Sequence, residues 1–413
     1  MGLRKNKSRA LPIAMVAAAT LIAGCGTSEG TSTESSVAGG VDVGALDTGD
    51  YPTAPAQPFG YVTAADDDLG AVDAQRMAEY MVLPFQIDET LTIHSDPTHE
   101  VLNDTDLAEV FGEGAQTASL DGAMYGFASA GRAPVSADNQ RGFRSVVIRF
   151  ATSADAKAGA AQLSQFAAND ANADIKKQRT ALRSLPGGFL VLSGTSSGAV
   201  AAATYVPHGD YLIFSEATAL NNDSDWVVKT ASKGFGEQAK LIDRFPALPT
   251  EAENPDPNSR RIKLDQDNIL IYALPFSEDT TQVNSLRAVY GPQGIAHFAP
   301  NQRELYQLLA QYGSAHNALS KSMVFRASDG NNGQKLYDDL VSNRTEGGAS
   351  KVDSPKGLPG VACLKSTGEN GQHRCLVRVG RYVATVSGSE LDDTHRQAAA
   401  QYVILTKADQ DAK

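Results

Sequence analysis

Gly194-Thr195-Ser196-Ser197-Gly198 matches the G-x-S-x-G spacing of a serine nucleophile on a strand-to-helix elbow. Such a serine works only where a helix follows and a histidine reaches its hydroxyl. Here AVAAATYV follows and reads as a second strand, so the small, flexible residues suit a hairpin turn. His208 and His297 are of the right type for a general base, but no spacing ties either to Ser196. His94 and His99 flank Asp96-Pro97, and the proline opposes a helix that would turn both rings to one face. Zinc needs converging ligands, so no metal is expected. Asp66-Asp67-Asp68 and Asn222-Asp223-Ser224-Asp225 offer oxygen ligands but lack the glycine and distant glutamate of a calcium loop. The first reads as a solvated loop and the second as a helix cap. Trp226, the only tryptophan, suits packing at that helix start. No phosphate-cradling glycine pattern occurs, and no cofactor is expected.

The cysteines are more informative. Cys25 closes Leu21-Ile22-Ala23-Gly24-Cys25, after an apolar run from Leu11 and a basic start carrying Arg4, Lys5, Lys7 and Arg9. That order is a secretory signal peptide, and the run is shorter than the roughly 20 apolar residues that span a bilayer. Its end resembles the bacterial lipobox, in which the cysteine thiol takes a diacylglyceryl group and becomes the mature N-terminus. Cys25 is therefore the expected lipidation site, and acyl chains anchor at about 0.8 kcal/mol per buried CH₂. Cys363 and Cys375 remain, in GVACLKSTGENGQHRCLVRVG, two β-rich runs around a Gly/Asn turn. Outside the cytoplasm they are expected to form a disulfide, worth about 3 kcal/mol for a loop of this size.

Removing residues 1–24 leaves 413 − 24 = 389 residues and moves the net charge from −12 to −16. An acidic balance argues against nucleic acid and against charge-driven docking on anionic headgroups. At 42% hydrophobic and 20% charged, the composition is globular.

The elements that would position these residues read as follows. Residues 25–45 are Gly, Ser and Thr rich, a flexible tether. A helical pattern over 72–81 precedes a short helix ending at Gly112, capped by Asp104 or Thr105. A strand at 145–150 leads to a helix capped by Ser153. Strands at 188–192, 199–206 and 211–216 follow, and then a helix from Asp223–Ser224. FPALPTEAENPDPNSRR has linker composition. Beyond it a strand at 322–327, a helix capped by Asp329, strands at 360–365, 374–379 and 382–387, and a helix over 392–405 repeat the order. Leu83-Pro84-Phe85 returns as Leu274-Pro275-Phe276, and Gly112 as Gly313. Order kept while offsets drift indicates internal duplication. The expected fold is α+β: two similar β-α-β-β-β-α units whose antiparallel sheets are covered by helices on one face. The expected organisation is a signal peptide over 1–24, a tether over 25–45, a first domain over 46–250 and a second over 260–408.

LDTGDYPTAP closely after the lipobox and tether, followed by AQRMAEYMVLPFQID, resembles a family of uncharacterised actinobacterial cell-envelope lipoproteins. The resemblance implies a lipid-anchored two-part ectodomain and brings no catalytic residues. The expectation is a non-enzymatic lipoprotein on the extracytoplasmic face of the cell membrane. It would bind an envelope lipid, a glycan or a protein partner in the groove between the copies. The alternatives are a serine hydrolase using Ser196 and a purely structural envelope scaffold.

Overall fold

A computed structural model describes residues 40–63, 68–115, 120–134, 140–169, 175–276, 287–367 and 371–412. The signal peptide, Cys25, Asp66 and Asp67 lie outside them.

After β1 (Tyr61–Thr63) the first half runs α1 (Leu69–Met77), α2 (Pro84–Ile87), β2 (Ile93–Val101), α3 (Asp104–Phe111), β3 (Ala123–Arg132), β4 (Gly142–Phe150), α4 (Ser153–Asn169), β5 (Ile175–Ala181), β6 (Phe189–Thr195), β7 (Val200–His208), β8 (Tyr211–Ala219) and α5 (Ser224–Ile242). The second runs β9 (Arg261–Lys263), β10 (Ala288–Tyr290), α6 (Pro292–Ala296), α7 (Gln302–Gln311), β11 (Asn317–Leu319), β12 (Met323–Arg326), α8 (Gly330–Glu346), β13 (Ser350–Val352), β14 (Ala362–Lys365), β15 (His373–Val379), β16 (Tyr382–Gly388) and α9 (Leu391–Thr406). Each half builds one seven-stranded antiparallel sheet, ordered β2-β3-β4-β8-β7-β6-β5 and β10-β11-β12-β16-β15-β14-β13. The second order is the first with eight added to every label, so the duplication extends to topology. β1 and β9 pair with each other apart from both sheets.

Helices cover both faces of each sheet, where one covered face was expected. On β4, Val146, Ile148 and Phe150 pack towards α4, while Phe143 packs towards α5. Gly234 of α5 sits so close to Phe143 that a Cβ there would lie 2.5 Å from the ring. A strand buried on both faces carries a continuous apolar run, which is why SVVIRF was legible. β2, β3 and β5 were not anticipated. β5 (IKKQRTA) is a half-exposed edge strand rich in charge. β2 contains Pro97 and a register shift between Ser95 and His99, the kind of irregularity that lets an edge strand carry proline. Two caps also move by a residue. Asn103, not Asp104 or Thr105, caps α3 in a reciprocal box with Asp106, and the Thr152 hydroxyl accepts from the Asp155 N–H at the start of α4.

The halves share a core. One apolar cluster runs from Met77, Met81 and Phe127 through Tyr290 and Ile295 to Phe325 and Leu364. The seam between them carries buried polar bonds. The Ser129 hydroxyl lies 2.7 Å from Nδ1 of His297, whose Nε2 meets the Ala78 carbonyl at 3.1 Å. The Glu79 carboxylate accepts the Gly294 N–H at 2.7 Å, and Gln302 donates to the Ala130 carbonyl at 3.1 Å. Residues 40–59 pack on the second half. Tyr51 donates to Asp393 at 2.9 Å, Ala56 N–H to the Ile271 carbonyl at 2.8 Å, and Lys407 to the Thr53 carbonyl at 2.7 Å. Among the described residues no helix is long and apolar enough to cross a membrane.

Candidate functional site

A concave site with ligand dimensions lies inside the second half, between the sheet and helices α7 and α8. The expected groove between the halves is instead packed by the shared core. The cavity measures about 680 Å³, within the roughly 300–1,000 Å³ of small-molecule sites. Leu305 and Leu340 come from the helices, and Leu319, Met323, Phe325 and Leu364 from the strands. Phe276 stands 52% exposed at its edge. The polar lining includes Lys321, Arg344 and Arg374, with Glu304 as the acid.

The first half supplies an internal control. Ser145-Val146-Val147-Ile148-Arg149 matches Ser322-Met323-Val324-Phe325-Arg326 at an offset of 322 − 145 = 177. Tyr211 matches Tyr382 at 382 − 211 = 171, each preceded by a turn whose glycine, Gly209 or Gly380, has φ of 56° or 57°. Strand register confirms the match: Val146 pairs with Phe214 as Met323 pairs with Thr385, and Tyr205 pairs with Phe214 as Leu376 pairs with Thr385. In the first half Phe214 packs against Phe111 and Tyr205, ring centroids 5.1 and 5.0 Å apart. The Arg144 guanidinium lies over Phe214 and bonds Glu216 at 2.6 Å. In the second half Thr385 replaces the phenyl ring and Leu376 the tyrosine. Ser387 stands where Glu216 stands and Arg374 where Ala203 stands, while Lys321, at the sequence offset of Arg144, lies in the turn just before β12. The same place in the fold is filled and neutralised in one copy, open and cationic in the other.

The electrostatics follow from that exchange. Burial, then the neighbouring charge of Arg374, pushes the Arg344 guanidinium down to about 10, with Glu304 opposing. Burial alone lowers Arg374. Arg344 Nε is buried with no hydrogen-bond partner. Among the described residues neither guanidinium has an ion pair within 4.0 Å, unlike Arg326, which holds Asp267 at 3.0 Å. Two adjacent cations largely taken out of water, with Glu304 nearby but no close ion pair among the described residues, raise the energy of the empty site.

The residues singled out from the sequence are dispersed. Ser196 lies exposed on the hairpin turn between β6 and β7, where the Thr195 N–H donates to the Ala199 carbonyl at 2.8 Å and Gly198 has φ of 88°. His208 instead meets Asp243 at 2.6 Å. His297 is fully buried at the seam, where Nε2–H donates to Ala78 and Nδ1 accepts from Ser129. Solvent does not reach that serine–histidine pair. His94 meets the His297 carbonyl at 2.9 Å, and His99 the Glu100 carbonyl at 2.6 Å. Asp223 caps α5 and bonds Arg141 at 2.6 Å; Trp226 donates to Asp88 at 2.8 Å beneath that arginine. Cys363 and Cys375 are directly paired across β14 and β15, their sulfurs bonded at 1.98 Å. His395 lies near enough to make them the potential metal-ligand cluster among the described residues, but the thiolates are consumed in the bond. Sequence reasoning missed Lys321, Arg344, Arg374 and Thr385. The signal was available in the offsets of 177 and 171, had residues been compared position by position.

The duplicated α+β architecture, filled in one copy and open in the other, defines a two-domain protein with a ligand-sized cavity in its second domain. The chain belongs to the DUF7373 family, whose models divide at the same place. Residues 61–254 match "Domain of unknown function (DUF7373) N-terminal" and residues 263–408 match "Domain of unknown function (DUF7373) C-terminal". Among solved structures it is similar to the extracellular domain of PknH from Mycobacterium tuberculosis, at 13% identity and a TM-score of 0.26, covering 40% of this chain and 96% of that chain. No curated protein matches the chain.

Proposed function

We propose that this protein is a non-enzymatic binding lipoprotein of the cell envelope. Cys25 carries the lipid, the following residues tether the fold to the extracytoplasmic face of the cell membrane, and the second half holds a small ligand. The observation that carries the reading is the contrast between copies: Phe111, Tyr205, Phe214 and the Arg144–Glu216 pair fill in one half the space that Thr385, Leu376 and Ser387 leave open in the other. A fold that buries the site well in one copy has no packing reason to leave about 680 Å³ in its twin. Apolar walls favour a lipid over a glycan. The test is native mass spectrometry of the full chain purified from its own host. Wild type is expected to carry a bound small molecule that a Thr385→Phe variant lacks; equal loading of both, or an empty wild type, overturns the reading. The reading includes no covalent step. A fluorophosphonate probe is expected to leave the protein unlabelled, and labelling that disappears in Ser196→Ala would replace this reading with a hydrolase.

A further inference from the structure

We infer that the ligand of the second-half cavity is a single-chain amphiphile with an anionic head, a carboxylate or a phosphate, gripped by Arg344 and Arg374. The inference rests on the binding reading above and adds the ligand's chemistry. In a chain of net charge −12, two guanidiniums lining one cavity, Arg344 from α8 and Arg374 from β15, are without a paired carboxylate among the described residues, and the Arg344 Nε is buried without a partner. Three other buried or half-buried arginines are neutralised or bonded through their guanidiniums, Arg144 by Glu216, Arg179 by the Ser164 hydroxyl at 2.9 Å and Arg326 by Asp267, although Arg144 also keeps a buried Nε without a partner. A desolvated cation that the protein does not neutralise is completed by an anion from outside, and the planar guanidinium fork matches carboxylate and phosphate. At position 203 the first copy has alanine where the second has Arg374, and at 216 it has a glutamate where the second has Ser387. Both exchanges move the site towards anions.

The body of the ligand follows from the remaining walls. Leu305, Leu319, Met323, Phe325, Leu340 and Leu364 present alkyl and aromatic surface continuous with the cationic wall. At roughly 30 Å³ for each water-sized group, a cavity of about 680 Å³ holds on the order of twenty heavy atoms. That is the size of one long-chain acid, and a two-chain phospholipid would extend beyond the cavity.

The experiment uses the full chain in membranes and two photoreactive diazirine probes, an oleic acid and the matching oleyl alcohol. The acid is expected to label peptides of β12 and α8 at about ten times the yield of the alcohol or more. Arg344→Gln and Arg374→Gln are each expected to cut the acid yield about tenfold and leave the alcohol yield unchanged. Competition by oleate or by lysophosphatidic acid at low micromolar concentration supports the inference, and the stronger competitor identifies the head. Equal labelling by acid and alcohol, unaffected by either variant, overturns the anionic head while leaving the cavity as a binding site. Displacement of the acid probe by inorganic phosphate as effectively as by oleate overturns the amphiphile in favour of a bare oxyanion site. Failure of both probes to label the cavity overturns this inference together with the reading beneath it.

Discussion

The buried histidine at the seam makes the stability of the whole molecule depend on pH, and the size of the effect follows from the structure. His297 has no solvent exposure, and burial lowers its pKa from 6.5 to about 3, with the charge of His94 adding to the shift and the Ala78 and Met81 carbonyls opposing it. The folded pKa lies below the unfolded value, so between about pH 6.5 and 3 the unfolded chain binds a proton that the folded chain refuses. Stability therefore falls as pH falls through that window. At 1.36 kcal/mol per pH unit the loss amounts to about 2 kcal/mol at pH 5 and about 3 kcal/mol at pH 4 relative to pH 7.5. Glu79 works in the opposite sense: burial raises its pKa against the bonds from Gly294 and Gln293, so its contribution is greatest at low pH and shrinks as pH rises. The measurement is thus a difference. Urea unfolding of wild type and His297→Gln, followed by Trp226 fluorescence, is expected to diverge by about 2 kcal/mol between pH 7.5 and 5, with the variant the less pH-sensitive. Its lower absolute stability does not enter the comparison. Parallel pH profiles for the two proteins would refute the argument that this imidazole is held neutral.

Further outcomes follow from the packing and the cysteines. Phe214→Ala removes the ring that fills the first copy and is expected to cost about 3–5 kcal/mol in denaturant unfolding. In the ligand-free protein, Arg374→Gln relieves a desolvated charge beside Arg344 and is expected to raise the melting temperature, whereas a drop would show that the guanidinium has a structural partner. Cys363→Ser is expected to cost about 3 kcal/mol, and thiol titration of the unfolded, unreduced chains is expected to read one more free thiol in the variant than in wild type, from Cys375. Cys25→Ala is expected to release the protein from the membrane fraction.

The strands buried on both faces were legible because burial writes a continuous apolar run, as in SVVIRF and SMVFRA, and α4 was legible from its single buried stripe of Ala156, Ala160 and Leu163. Duplication was legible from landmarks such as Leu83-Pro84-Phe85 and its counterpart. The edges were not. β5 is a half-exposed edge carrying Lys176, Lys177 and Arg179, and β2 hides its strand character behind Pro97 and an irregular register. Sheet coverage on both faces escaped because periodicity identifies an apolar stripe without saying which sheet face it meets. The site escaped for a different reason. Its residues come from α7, β11, β12, α8, β14, β15 and β16, and their meaning lies in what their counterparts are, Phe214 against Thr385 and Glu216 against Ser387. A motif search inspects one stretch at a time, and this signal exists only between two stretches aligned by strand register. The residues that motif reasoning did raise proved to be turn, cap and seam residues, with Ser196 on a hairpin and His297 sealed between the halves.

The stretch from Asp47 to Thr53 grips the far end of the chain, Asp47 holding Arg396 at 3.1 Å and Tyr51 holding Asp393. Lys321 of the cavity lies over the ring of the same Tyr51, 5.5 Å away. With Cys25 anchored as proposed, a pull arriving along the amino-terminal leash loads the last helix before it reaches the first copy. The open copy is then the one joined most directly to the leash.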